Sequence, residues 1–162
     1  MKILNTVQYQ YQILRYRHHA TTGELANIGL VYFDPQTRFL RVRFIKSCKR
    51  LNDFFGEISE EFLLKTLETL EKEFNRWAES LKTDASFNKY KEVEKITSAI
   101  LPIDDNALQF SDTFRGFEFD HRYSFSYIYN LQIGKNNNDL IEIENENKEE
   151  RKKAIEWFLA QS

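Results

Sequence analysis

The segment Gly23-Glu24-Leu25-Ala26-Asn27-Ile28-Gly29-Leu30-Val31-Tyr32-Phe33-Asp34-Pro35 sets a polar amide and a glycine inside an otherwise apolar run. A buried amide left without a partner costs about 1–3 kcal/mol, so Asn27 needs neighbours. Glycine weakens a strand interior unless a bulge or a close backbone approach requires it. Asn27 and Gly29, with Glu24 at the mouth of the run, read either as a network tying a hairpin together or as the wall of a site. A second group is basic and aromatic. Arg15, Arg17, Arg41 and Arg43 interleave with Tyr9, Tyr11, Tyr16 and Phe39. Sheets that stack nucleic-acid bases use such mixtures. The same residues also fit a plainer arrangement, with tyrosines in the core and arginines in water.

Other reactive types are sparse. Cys48 is the one cysteine, so no internal disulfide can form. As a nucleophile it would need a histidine beside it, and nothing in the sequence gathers His18, His19 or His121 there. It reads as a partly buried small residue. His18, His19, Asp120 and His121 are metal-ligand types, yet adjacent residues of a strand face opposite ways. Neither a metal nor a cofactor is expected. There is no Gly-rich phosphate loop, no Ser-x-x-Lys and no Gly-x-Ser-x-Gly, so no catalytic residues are assigned.

The elements that must position these groups follow from periodicity. Residues 6–17 read as a strand, with Val7, Tyr9, Tyr11 and Ile13 alternating with Gln8, Gln10 and Gln12. One face is apolar and the other amide-rich. Residues 25–33 are apolar on both faces, as a central strand is. The link at residues 20–24 is short and contains glycine, and Asp34-Pro35-Gln36-Thr37 has turn chemistry. Residues 39–46 form a third strand, with Leu40, Val42 and Phe44 on one face and Arg41 and Arg43 on the other. The three make an antiparallel meander.

Ser59 is a candidate N-cap, with Glu60 and Glu61 favouring the positive end of the helix dipole. The helix it opens, residues 59–82, carries a stripe of Leu63, Leu67, Leu70, Phe74, Trp77 and Leu81. Steps of three and four residues put these on one side, to pack on the sheet or to form a two-helix seam. A second helix is predicted over residues 84–101, stopped before Pro102, with Phe87, Tyr90, Val93, Thr97 and Ile100 buried. Residues 108–119 read as extended with a break at Gly116. Residues 123–133 fit a strand and a helix equally. Residues 134–139 read as a flexible loop. Asn147 is a candidate cap for a last helix, with Ile155, Phe158 and Leu159 on its buried face.

At 162 residues, 41% apolar and 15% aromatic, the chain is long and apolar enough for one core, and a single domain over residues 1–162 is expected. No apolar run approaches a membrane span and the N-terminus has no signal-peptide pattern, so a cytoplasmic location is expected. Net charge is −2, but its distribution is uneven. Residues 1–50 hold nine Lys/Arg against Glu24 and Asp34, and the remainder is correspondingly acidic. Either a basic sheet packs beside acidic helices, or the sheet presents an anion-binding face.

Three stretches carry a resemblance: Tyr9-x-Tyr11-x-Ile13-Leu14-Arg15-Tyr16, then Gly23-Glu24-x-x-Asn27-Ile28-Gly29-Leu30-Val31-x-Phe33-Asp34-Pro35, then Arg50-Leu51-x-x-Phe54-Phe55. Together they resemble the bacterial domain-of-unknown-function family 3037. Phe110-Ser111-Asp112-Thr113-Phe114-Arg115-Gly116 resembles a later segment of that family. The resemblance marks Arg15, Glu24, Asn27, Arg50, Ser111, Arg115 and Gly116 as its polar pattern. From it, Arg15, Glu24, Asn27, Arg50 and Arg115 are taken as a candidate polar or anion-binding cluster, since arginine forks suit carboxylates and phosphates. Arg17, Arg41 and Arg43 are the candidate basic face. Family members often lie beside genes for HipA-like kinase proteins, which implies a protein partner or a toxin–antitoxin-type role.

The expected fold is therefore α+β: an antiparallel sheet begun by an N-terminal meander and packed by three to four helices. The expected function is a non-enzymatic partner or regulatory protein acting through protein–protein contact. The alternative is a nucleic-acid- or nucleotide-binding protein, enzyme or not, that uses the arginine-rich sheet.

Overall fold

In the computed structural model, residues 7–18, 24–56, 58–101, 107–118, 120–144 and 148–161 are described. Five strands form one antiparallel sheet: β1 (Val7–Arg17), β2 (Leu25–Asp34), β3 (Phe39–Phe44), β4 (Leu108–Phe110) and β5 (Phe114–Glu118). β2 lies between β1 and β3, the predicted meander. The other side of β1 is shared. β4 pairs with Leu14 to Tyr16, and β5 pairs with Val7 to Tyr11. The helices are α1 (Lys49–Phe55), α2 (Glu60–Thr83), α3 (Val93–Ile100), α4 (His121–Tyr129), α5 (Lys135–Asn137) and α6 (Lys148–Gln161). The fold is α+β, as the sequence predicts.

Cross-strand pairs share a face, so the register sorts the side chains. Gln10 and Gln12 stand opposite Phe33 and Val31, which stand opposite Leu40 and Val42. This face takes α2, whose Leu63, Leu67, Leu70, Phe74 and Leu81 are buried. The Phe74 ring meets Phe44 edge-on at 6.0 Å and Phe110 at 6.2 Å. The stripe is therefore core. Gln10 and Gln12 are buried with it, and their amides are fully engaged. Gln10 Oε1 accepts from the Val93 amide at 2.8 Å, and Gln12 bonds the Thr97 hydroxyl at 2.5 Å and the Ser111 carbonyl at 3.0 Å. They anchor α3 to the sheet.

The opposite face carries Tyr9, Tyr11, Tyr32, Arg41 and Arg43, and α4 covers much of it. Tyr32 and Ser124 hydrogen-bond through their hydroxyls at 2.6 Å, and the Phe125 and Tyr129 rings are fully buried. The sheet is thus sandwiched between helices.

Several predicted elements differ. Residues 84–101 are not one helix. Asp84 leaves the helical region and accepts from the Ser86 amide, capping a 3-10 turn at Ala85–Phe87. Arg38 then donates to the Leu81 carbonyl at 2.5 Å and the Phe87 carbonyl at 2.7 Å, satisfying acceptors that a helix end leaves open. The break in residues 108–119 falls at Ser111 to Thr113, and Gly116 lies inside β5. Ser111 causes it, because its hydroxyl accepts from the Ile13 amide in place of a backbone carbonyl. Residues 123–133 are helical, and the helix continues as a π turn, Asn130–Gly134, into α5. Residues 134–139 are accordingly no flexible loop. Asn137 is buried, and Asn138, at φ 53°, ends the helix in the left-handed region that asparagine tolerates. Ser59 occupies the N-cap position of α2, but its hydroxyl makes no capping bond. On α6, Ile155 and Leu159 are exposed, not buried. Thr6, His19, the residue 20–23 link, Pro102, Phe119, Asn147 and the Phe158 side chain lie outside the described residues.

Candidate functional site

Asn27 is the hub of the candidate cluster. β1 and β2 change register here: Leu14 faces Gly29 and Arg15 faces Asn27, so Ile28 is the extra residue of a β-bulge. The bulge turns the Asn27 amide toward the helical layer. Its Oδ1 accepts from Arg15 Nε at 3.3 Å, its Nδ2 donates to the Gln132 carbonyl at 3.1 Å, and its own carbonyl accepts from Asn137 Nδ2 at 2.9 Å. One residue thereby ties β1, β2, the π turn and α5. The Gln132 carbonyl lies in the π turn, a rare element that frequently marks functional sites. Asn27→Leu should cost about 1–3 kcal/mol, because it strips the acceptor from Arg15 and the donor from Gln132. Chemical denaturation reads this, and an unshifted midpoint would make the amide dispensable.

Beside this network lies a pocket of about 520 Å³, bordered by Leu25, Asn27, Arg50, Asp53, Phe54 and Asn136. Two of the sequence segments converge on it, one through Asn27 and one through Arg50, Leu51 and Phe54 of α1. Leu51 is buried as the floor, while Phe54 is 73% exposed. Phe54 is held edge-on to Phe55 at 4.8 Å, and Phe55 packs on Tyr16 and His18. Arg50 has no ion-pair partner among the described residues. The pocket thus offers an open guanidinium, an aromatic ring and amides around an apolar base. Asn136, Asn137 and Asp53 are lining residues the sequence reading missed. The run Asn136-Asn137-Asn138 was the available signal, because asparagine favours the left-handed helix end that holds it against β2.

The other predicted residues are dispersed. Glu24 is exposed at the entry to β2. Arg115 is exposed on β5, opposite Gln10 and toward the far end of β1, so it does not join Arg15 and Asn27. Arg17 stands opposite Leu25 at the end of the hairpin. Arg41 and Arg43 lie under α4. Arg41 bonds Glu144 at 3.0 Å with its guanidinium 4.2 Å from the Phe125 ring centre. Arg43 bonds Asp139 at 3.0 Å and sits over Tyr129, whose hydroxyl also donates to Asp139. Burial pushes the Tyr129 phenol above its ordinary value, so it stays a donor. Two arginines of the basic first third therefore pair with carboxylates of the acidic remainder in half-buried contacts beside α4.

The remaining chemistry-bearing groups are structural in placement. Cys48 is fully buried, and burial pushes its thiol up to about 11, far from a thiolate at neutral pH. His121 Nε2 bonds buried Asp34 at 2.9 Å while its ring stacks on Phe39, which joins the start of α4 to the end of β2. Among the described residues, no three His, Cys, Asp or Glu side chains converge as metal ligands, and no helix is long and apolar enough to cross a membrane.

No curated protein and no solved structure matches this chain. A family model does match, over residues 11–133, with the description "Protein of unknown function (DUF3037)". That span runs from Tyr11 within β1 to Ile133 within the π turn, and so takes in Asn27, α1, α4 and strands β2 to β5. The chain belongs to the DUF3037 family.

Proposed function

We propose that this chain is a non-enzymatic partner or regulatory protein, cytoplasmic in location, that works through protein–protein contact at the Asn27–Phe54 pocket. A HipA-like kinase in a toxin–antitoxin-type system is the partner class that the family resemblance implies. The carrying observation is how the charged and aromatic groups divide. Arg41 and Arg43 are spent on Glu144 and Asp139 within the fold, whereas Phe54 and Arg50 stand open on α1. Aromatic residues and arginine are the types enriched at protein interfaces. The same division weighs against the nucleic-acid alternative, which needs Arg41 and Arg43 turned outward.

The test is co-purification of the tagged chain with a HipA-like kinase from the same genome, comparing wild type with Phe54→Asp and Arg50→Glu. Both positions are exposed, so thermal melts should be unchanged while kinase recovery falls at least about tenfold, the loss of a centrally placed contact. Equal recovery by wild type and both variants moves the contact elsewhere. Failure of the wild type to bind the kinase at all removes that partner class.

A further inference from the structure

On one side the sheet ends at β4 and β5, and β5 lies far along β1 from the Asn27 pocket. β5 pairs with β1 along its inner edge, and no strand among the described residues takes its outer edge. An unpaired edge presents a row of backbone donors and acceptors ready for another strand. Proteins blunt such edges with bulges, prolines, charges or short length. β5 has neither bulge nor proline, and its blunting is limited to its five-residue length and the charges of Arg115 and Glu118. Its register with β1 is unbroken from Val7↔Glu118 to Tyr11↔Phe114.

Its side chains are open too. Phe117 is 70% exposed and Phe114 42%, on opposite faces of the strand, and Arg115 is exposed beside Phe117. The other edge strands are different: β3 has side chains that are buried or half-buried beneath α2 and α4, and β4 is three residues long with all three half-buried. Gly116 is covered by the Tyr9 ring reaching across from β1, so the strand is supported at the residue that would otherwise weaken it.

We infer that β5 pairs antiparallel with β5 of a second copy of this chain, about a two-fold axis at Gly116. The occupant follows from the order of the side chains. A two-fold pairing sets residue i opposite 232 − i, so each Arg115 faces Phe117 of the second copy and each Phe114 faces Glu118. A guanidinium lies on an aromatic ring twice, and no like charges stand directly opposite. Centring on Arg115 instead would put two guanidinium groups opposite each other. Such an interface is isologous and closes on itself, so it yields a dimer and not a fibre. With five residues on each side, the pairing is smaller than a standard interface and the dimer is weak.

Sedimentation equilibrium of the full chain across a concentration series tests this, with Phe117→Lys and Phe117→Glu alongside wild type. Wild type should pass from monomer to dimer in the micromolar range. Phe117→Lys sets a cation opposite Arg115 and should weaken association at least about tenfold. Phe117→Glu sets an anion there and should retain a dimer that salt dissociates. Amide exchange should slow at β5 on dimerisation. A wild type that stays monomeric to several hundred micromolar overturns the inference. So does a dimer indifferent to Phe117→Lys, or one in which Lys and Glu act alike. None of these outcomes depends on the kinase or on α1, so this proposal and the partner reading fail separately.

Discussion

Phe74→Ala should destabilise the chain by about 3–5 kcal/mol in urea or guanidinium denaturation, the range for truncating a buried aromatic. Phe74 is fully buried at the centre of the α2 stripe and touches the sheet twice, through Phe44 of β3 and Phe110 of β4. Its loss leaves a cavity that cannot close easily. Its wall is a β-sheet whose register is fixed by the hairpin and which carries Phe44 and Phe110. The control is Phe54→Ala on α1, an equally large truncation at a ring that is 73% exposed, which should leave the midpoint nearly unchanged. Two phenylalanines with opposite outcomes separate the core of the fold from the surface assigned to a partner. A small effect of Phe74→Ala would mean that α2 does not hold the sheet, and the stripe would then belong to a seam between chains.

The α2 stripe was legible because its partner is a whole sheet face. Any apolar surface of that width satisfies a 3.6-residue period, so no distant residue had to be known. The three-strand meander was legible for a similar reason, since turn chemistry and alternation are local signals. The amides of β1 were visible as a pattern but not as a function. Gln12 is satisfied by Thr97 and Ser111, both more than 80 residues away, and a period-two pattern does not say whether glutamines face water or a helix. Residues 123–133 fitted a strand as well as a helix because Tyr127 and Leu131 complete a period-two apolar row although the helix leaves them exposed, while its buried face includes Ser124 and Ser126, which hydropathy counts as polar. Their hydroxyls bond carbonyls of their own helix, Ser126 to Arg122 at 2.7 Å, and so lose their polar cost. For the site, the oddity of Asn27 and Gly29 was plain in the sequence. The convergence of Asn27 with Arg50 and Phe54 came only with the placement of α1 beside β2, and the exclusion of Arg115 with the register of β5 on β1.

Gly29 shows how much of that oddity is structural. A Cβ built on Gly29 would enter the Phe44 ring, because Gly29 and Phe44 are direct cross-strand partners and the ring lies flat across the glycine. Phe44 is 1% exposed and held from above by Phe74, so it has nowhere to swing. Gly29→Ala should therefore cost about 1–3 kcal/mol, the usual range for overpacking a core. The cause can be isolated. In a Phe44→Leu background the clash is relieved, so the two substitutions together should be less harmful than their sum, with a coupling of about 0.5–3 kcal/mol. Gly116 supplies the contrast. There the crowding atoms are the far end of half-buried Tyr9, which can tilt outward, so Gly116→Ala should cost clearly less. A denaturation cycle on the four Gly29/Phe44 combinations decides the matter. Strict additivity would mean that Gly29 is required by the bulge at Ile28 and not by the ring. Coupling of the expected sign would place this glycine in the same class as Gly116, a strand residue kept small so that a neighbouring aromatic can lie across it.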